Sequence, residues 1–210
     1  MKYKVMIVED QTMPRELFEL RVQASEWFEL ALSIDNAALA DVYCLRFPVD
    51  LILMDVITRD GENGLDAAAR IKRAFPQIKI IIVTSMPECS YLKRAKEIGV
   101  ESFWYKEEQR ESLLDVMERT MNGESVYPGA SPELTLGMAS SYQFTERELD
   151  ILREITSGDT NQEIADRLNM SVATVKTHIL NMLEKTGFRN RTELAVRARE
   201  SGLVILNRRN

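Results

Sequence analysis

Four apolar residues, Leu51–Met54, run without a break into the carboxylate of Asp55. Comparable runs occur at Val5–Val8, Leu30–Ile34, Ile78–Val83 and Phe103–Tyr105. Between them lie segments with helical spacing of apolar positions, near residues 13–26, 37–47, 65–75, 89–98 and 110–121. The run "IKIIIVTS" is rich in β-branched residues and too short for a membrane helix, which predicts a strand buried on both faces. Strands alternating with helices predict a parallel sheet covered on both sides. This first domain is expected over residues 1–121.

Residues 122–143, "NGESVYPGASPELTLGMASSYQ", scatter Gly, Pro and Ser with no steady period and read as a linker. From Phe144 to the end, residues 144–210, the pattern becomes four short helices. Thr145 with Glu148, and Thr160 with Glu163, each match a capping box, and Phe144 and Leu149 hold the staple positions outside the first. Ser171 is placed to cap a third helix ending before Gly187, and Asn190 with Glu193 to start a fourth.

Composition adds little until charge is divided along the chain. Hydrophobic residues make up 45% and charged residues 29%, ordinary for a folded globular protein. No apolar run approaches the roughly 20 residues of a membrane span, and "MKYKVMIVED" turns acidic too soon for a signal peptide. A cytoplasmic location is expected, with Cys44 and Cys89 reduced because they fit no metal or redox spacing. The formal net charge is −6, yet residues 171–210 hold eight Lys/Arg against three Asp/Glu. A basic segment closing an acidic chain points to a polyanionic partner at that end.

The carboxylate after Met54 has company. Glu9 and Asp10 follow the first strand directly, and open parallel sheets bind ligands beyond the carboxyl ends of their strands. If the first and third strands are neighbours, Glu9, Asp10 and Asp55 converge there. Three unpaired carboxylates repel one another, so the site wants a cation, and hard oxygen ligands suit Mg²⁺. Thr84 ends the fourth strand and Lys106 follows the fifth, offering a hydroxyl and a positive charge. These are the parts phosphoryl transfer needs, because its catalysis is mostly positioning and charge neutralisation.

On these residues, 1–121 resemble the receiver domain of a bacterial response regulator. The resemblance implies a flavodoxin-like fold, five parallel strands in the order 2-1-3-4-5, and a sensor histidine kinase that phosphorylates Asp55. It further implies Glu9, Asp10, Asp55 and the carbonyl of Ile57 as Mg²⁺ ligands. Thr84, Phe103 and Lys106 fall on its phosphate and switch positions. One departure stands out: Thr58 and Arg59 replace an expected Met-Pro pair, and Gly64 comes one residue late. The loop beside the acceptor is therefore expected to be longer and more polar, with an extra carboxylate at Asp60, which bears on metal affinity and phosphorylated lifetime.

In the basic segment the third helix places Val172, Val175, Ile179, Met182 and Leu183 on one stripe, expected to face the core, with Thr177 and Asn181 opposite. A helix of this size fits the major groove, and Lys176, Lys185, Arg189 and Arg191 suit phosphate contact. The pieces "TERE", "NQEIADRL" and "TVKTHILNML" resemble the LuxR-type helix-turn-helix domain. That resemblance implies an all-α four-helix unit with a DNA-facing surface on Ser171, Thr174, Lys176, Thr177, Leu180 and Asn181. It also makes Thr192, Val196 and Arg199 candidates for a homodimer contact. His178, the only histidine, has no neighbour to make it a general base.

Together these readings predict a two-component transcription regulator, of the NarL/FixJ class, that binds double-stranded DNA as a homodimer once activated. A regulator independent of phosphorylation is the alternative that the altered loop leaves open. An enzyme using Asp55 as a covalent nucleophile usually needs a second acid two residues later, where this chain has Ile57. The chain is therefore not expected to be an enzyme.

Overall fold

The computed structural model describes residues 2–59, 63–85, 89–106, 112–129 and 133–204, the side chains of Cys89 and Ser90 excepted. Two compact units emerge, one built mainly from Met1–Ser85 and Tyr91–Gly129 and the other mainly from Ala130–Arg208.

In the first unit β1 (Tyr3–Val8), β2 (Phe28–Ile34), β3 (Leu51–Met54), β4 (Lys79–Thr84) and β5 (Ser102–Tyr105) form one sheet in the order β2-β1-β3-β4-β5. All four pairings are parallel. This is the expected order. The apolar run of the central strand β3 is buried on both faces: Leu51, Ile52, Leu53 and Met54 have essentially no exposure, whereas Leu30–Ile34 of the edge strand β2 is half-buried. Burying each such side chain contributes about 1.5–3 kcal/mol. The connections run through α1 (Thr12–Ala24), α2 (Ala40–Arg46), α3 (Gly64–Ala74), α4 (Cys89–Ile98) and α5 (Leu113–Met121). Where one helix was expected over 37–47, a 3₁₀ turn at Ala37–Leu39 precedes α2, capped by the Asn36 side chain accepting from the Ala38 N–H.

The segment 122–143, expected as a linker, is divided between the units. On the first unit the Phe103 N–H donates to the Val126 carbonyl at 2.9 Å, and the Val126 N–H donates to Ser102 Oγ at 3.1 Å. The Tyr127 hydroxyl donates to the Val100 carbonyl at 2.7 Å, and its ring lies 6.3 Å from that of Phe103. In the second unit β6 (Thr135–Leu136) and β7 (Ala139–Ser140) make a short antiparallel hairpin. Leu136 and Ala139 join the core of that unit.

Four helices follow: α6 (Glu146–Thr156), α7 (Asn161–Arg167), α8 (Val172–Thr186) and α9 (Arg191–Glu200). Both expected capping boxes form, on Thr145/Glu148 and Thr160/Glu163. Ser171 and Asn190 cap α8 and α9 through their side chains. Gly187 ends α8 at φ 75°, a left-handed conformation that suits glycine. Phe144 and Leu149 are buried in the same cluster as Ile164, Val175, Met182 and Leu194. α7 and α8 are joined by the short turn Leu168–Ser171, a helix-turn-helix connection.

Candidate functional site

The sheet register brings the acids together. Val8 is the register partner of Met54, so Glu9 and Asp55 leave adjacent strands at the same edge. The Asp55 N–H donates to the Val8 carbonyl at 2.9 Å, and the Glu9 N–H to Ile34 at 3.0 Å. As a result one ligand oxygen each from Glu9, Asp10 and Asp55 lies within 4.8 Å of the others. Glu9 and Asp55 are buried, whereas Asp10 is half-buried.

Lys106 reaches into this cluster from the end of β5. Its Nζ lies 2.8 Å from Asp55 Oδ2 and 2.5 Å from Glu9 Oε2. The other Asp55 oxygen accepts the Val56 N–H at 2.7 Å, and Glu9 Oε1 accepts the Gln11 N–H at 3.1 Å. Burial pushes the Asp55 carboxyl above its ordinary range, against the opposing pull of Lys106 and the Val56 and Ile57 N–H groups. Burial, then the charge of Asp55, pushes Glu9 up to about 7. For Lys106, burial acts to lower the pKa, but the Asp55 and Glu9 carboxylates outweigh it and hold the ammonium above its usual value. Three carboxylates against one ammonium leave two negative charges at full ionisation. Oxygen donors with that surplus fit a hard divalent cation.

Of the remaining first-unit positions, Thr84 and Ile57 lie at the same end of the sheet, and Phe103 lies further back along β5, opposite Ile82. Thr84 is fully buried at the close of β4, and its carbonyl accepts the Lys106 N–H at 2.9 Å. Phe103 is buried in β5, with its ring 5.0 Å from that of Tyr105. Ile57 is half-buried and bridges to Asn63. The late glycine also has a place: the Gly64 N–H donates to the Val56 carbonyl at 2.8 Å. A Cβ on Gly64 would lie 1.8 Å from the Asp55 carbonyl oxygen, so no side chain fits there. Asp60 lies outside the described residues.

On α8 the expected stripe is inward. Val175, Ile179 and Met182 are buried, with Val172 and Leu183 packed against them. Ser171, Thr174, Lys176, Thr177, Leu180 and Asn181 are all exposed, Leu180 by 56%. Ser171 Oγ also caps the helix through the Thr174 N–H at 3.0 Å. Two of the four cations expected near phosphates are engaged inside the unit. Lys185 Nζ holds both Glu148 oxygens, at 2.7 and 2.8 Å, and the Gln143 carbonyl at 2.9 Å. Arg191 donates to Asn161 Oδ1 and the Asp159 carbonyl, each at 2.7 Å. Lys176 and Arg189 are exposed.

Thr192, Val196 and Arg199 are exposed on α9 at the spacing of one helix face. A second exposed row, Met13, Leu17 and Leu20 on α1, escaped the sequence reading although its i, i+4, i+7 spacing was the signal. Among the described residues no helix is long and apolar enough to cross a membrane.

Comparison with known proteins agrees with this geometry. Residues 5–118 match the response regulator receiver domain family, and residues 142–198 match the luxR family of bacterial regulatory proteins. The response regulator protein VraR of Staphylococcus epidermidis is 33% identical, covering 97% of this chain and 100% of its own. VraR of Staphylococcus aureus is 33% identical with the same coverage. Among solved structures, RcsB of Salmonella enterica serovar Typhimurium bound to promoter rprA is similar at a TM-score of 0.58. That similarity has 17% identity and covers 94% of this chain and 98% of RcsB. The response regulator ChrA matches at a TM-score of 0.52 and 21% identity over 97% of this chain and 99% of its own. A parallel sheet with an acidic edge, a helix-turn-helix unit with an exposed third helix, and these relatives lead to one conclusion: the chain is a DNA-binding response regulator of the two-component type, belonging to the NarL/FixJ class that joins a receiver domain to a LuxR-family domain.

Proposed function

We propose that Asp55 accepts a phosphoryl group from a sensor histidine kinase, in a Mg²⁺-dependent reaction, and that this controls DNA binding by the second domain. The convergence of Glu9, Asp10 and Asp55 within 4.8 Å, with Lys106 across them, carries the reading. Glu9, Asp10, Asp55 and the Ile57 carbonyl would hold the cation, whose chemistry is to neutralise the oxygens of the transferring phosphoryl group.

An Asp55 carboxylate oxygen attacks phosphorus; the P–N bond to the donor histidine breaks, and the imidazole departs with the electron pair. Lys106, already 2.8 Å from the acceptor, offers its ammonium to a phosphoryl oxygen. The Thr84 hydroxyl donates to a second such oxygen. Phe103 then repacks, and the surface of α4 and β5 changes with it. Ile57 stands where a phosphohydrolase usually carries its second acid. That supports a single transfer per activation cycle over enzymatic turnover.

On DNA, α8 enters the major groove with Lys176, Thr177, Leu180 and Asn181 foremost and Ser171 and Thr174 at its leading turn. Leu180, exposed and apolar, suits a thymine methyl. A homodimer matches two half-sites, with Thr192, Val196 and Arg199 of α9 in contact. The RcsB structure described as two dimers bound to two parallel DNAs supports this by analogy of fold. The exposed row on α1 supports a partner-facing role for that helix. The protein works in the cytoplasm, where its DNA is.

Intact-mass spectrometry after incubation with acetyl phosphate and Mg²⁺ tests the acceptor. One phosphate adduct is expected on the wild type and none on Asp55→Ala. No adduct on the wild type would leave a regulator independent of phosphorylation, and an undiminished one on the variant would overturn Asp55 as the acceptor. DNA footprinting with and without the phosphodonor tests the coupling.

A further inference from the structure

The loop after Asp55 departs from its family pattern at Thr58 and Arg59, and both residues are clipped to the far side of the pocket. Thr58 is only 2% exposed, and its Oγ1 accepts the Ala37 N–H at 3.0 Å. The Arg59 N–H donates to the Asp35 carbonyl at 3.2 Å. The Arg59 guanidinium pairs with Asp35 Oδ2 at 2.7 Å. Asp35 and Ala37 directly follow β2, whereas Thr58 and Arg59 follow β3. β1 lies between those two strands. The clip therefore ties together the strand ends flanking the one that carries Glu9 and Asp10. A longer, more polar loop is thus fastened at its start.

The contacts are unequal. The ion pair is well exposed on both sides, and such pairs contribute little. The Thr58–Ala37 bond is buried, so losing the acceptor leaves a buried N–H without its partner. Thr58 is thus the stronger element. It sits immediately after Ile57, whose N–H helps hold Asp55 and whose carbonyl is the backbone ligand assigned above. Fixing Thr58 fixes the peptide that carries this carbonyl.

We propose that Thr58 is a positioning residue for the cation site: its buried bond to Ala37, supported by the Arg59–Asp35 clip, holds the Asp55–Thr58 backbone in the geometry that binds Mg²⁺. This rests on the cation reading of the pocket.

The test titrates MgCl₂ into the full-length unphosphorylated protein and follows the Val56 and Ile57 amides by NMR. Thr58→Val keeps the shape and removes the acceptor. Mg²⁺ affinity is expected to fall about five- to tenfold and to return in Thr58→Ser. Ile80→Val, a core change in β4, is the control for lost stability alone and should leave affinity unchanged. Should Thr58→Val not fold, Arg59→Met, at an exposed side chain, carries the test with an expected loss of about twofold. Wild-type affinity in a folded Thr58→Val, or in Arg59→Met where that variant stands in, overturns the proposal and leaves the pocket reading intact. So does an equal loss in Ile80→Val. Absence of any Mg²⁺ response in the wild type overturns both.

Discussion

Lys106 Nζ lies 2.8 Å from Asp55 Oδ2, and the same ammonium serves Glu9, so one cation compensates two buried acids. Replacing it with an apolar chain leaves both carboxylates without their counter-charge. Lys106→Met is expected to lose about 3 kcal/mol of stability at pH 8, at the lower end for a broken buried pair because the carboxyls can take up protons. The loss should shrink at pH 5, where Glu9 is protonated. Urea unfolding at the two pH values without divalent ions checks both. A loss as large at pH 5 as at pH 8 would contradict the assignment.

Glu9 sets a pH window of its own. Its carboxyl is raised from 4.5 to about 7, by burial first and Asp55 second. Between those values the native state holds a proton that the unfolded chain has released, so Glu9's contribution to stability falls as pH rises from about 4.5 to about 7. Glu9→Gln should flatten the stability profile across that interval. Mg²⁺ held as proposed would displace the same proton, so its affinity should rise with pH up to about 7 and level off above. Calorimetric titration in buffers of different ionisation heat would register the released proton.

Gly64 tolerates no side chain, because a Cβ would lie 1.8 Å from the Asp55 carbonyl oxygen. Gly64→Ala must push α3 away from the acceptor strand. A loss of about 2–3 kcal/mol is expected, in the range of overpacked sites. A melting temperature within a degree of the wild type would mean that the helix start yields freely.

The two lysines of α8 should behave oppositely. Lys176 is exposed on the outward face. Lys176→Ala should lower the salt slope of DNA binding by roughly one unit with little change in stability. Lys185 holds Glu148, which is itself almost fully buried. For Glu148, burial acts to raise the pKa, but hydrogen bonds from Lys185 and Thr145 outweigh it and hold the carboxyl below its usual value. Lys185→Met should cost the second unit about 2–3 kcal/mol, discounted from a fully buried pair because the lysine side chain is 31% exposed. The salt slope should stay unchanged. Fluorescence anisotropy at several salt concentrations, with thermal melts, separates the two.

Features governed by short-range rules were legible in the sequence. Uninterrupted apolar runs marked β1, β3, β4 and β5, because a strand covered on both faces has no polar position, whereas the half-buried edge strand β2 was marked by a run that Ser33 interrupts. The capping pairs Thr145/Glu148 and Thr160/Glu163 named the helix starts, since both halves of the device lie three residues apart. The meeting of Glu9, Asp10 and Asp55 followed from strand ends and strand order. What escaped depends on contacts between distant residues. Lys185 and Arg191 looked like phosphate ligands because their partners Glu148, Asn161 and Asp159 lie 37, 30 and 32 residues away. Thr58 read only as part of a longer, more polar loop because Ala37, the partner that fastens it, is 21 residues away. Residues 122–143 read as a linker because Val126 and Leu136 pack singly, with no period to announce them.

The Val126–Tyr127 strip has a practical meaning for anyone cutting the chain. The outer border of β5 would otherwise present bare amide groups, a template for pairing with other molecules. The Phe103 N–H has its partner only because Val126 lies along that border. An isolated receiver ended at Met121 would lose that bond and tend to self-associate, whereas one carried through Pro128 keeps the Phe103 N–H covered.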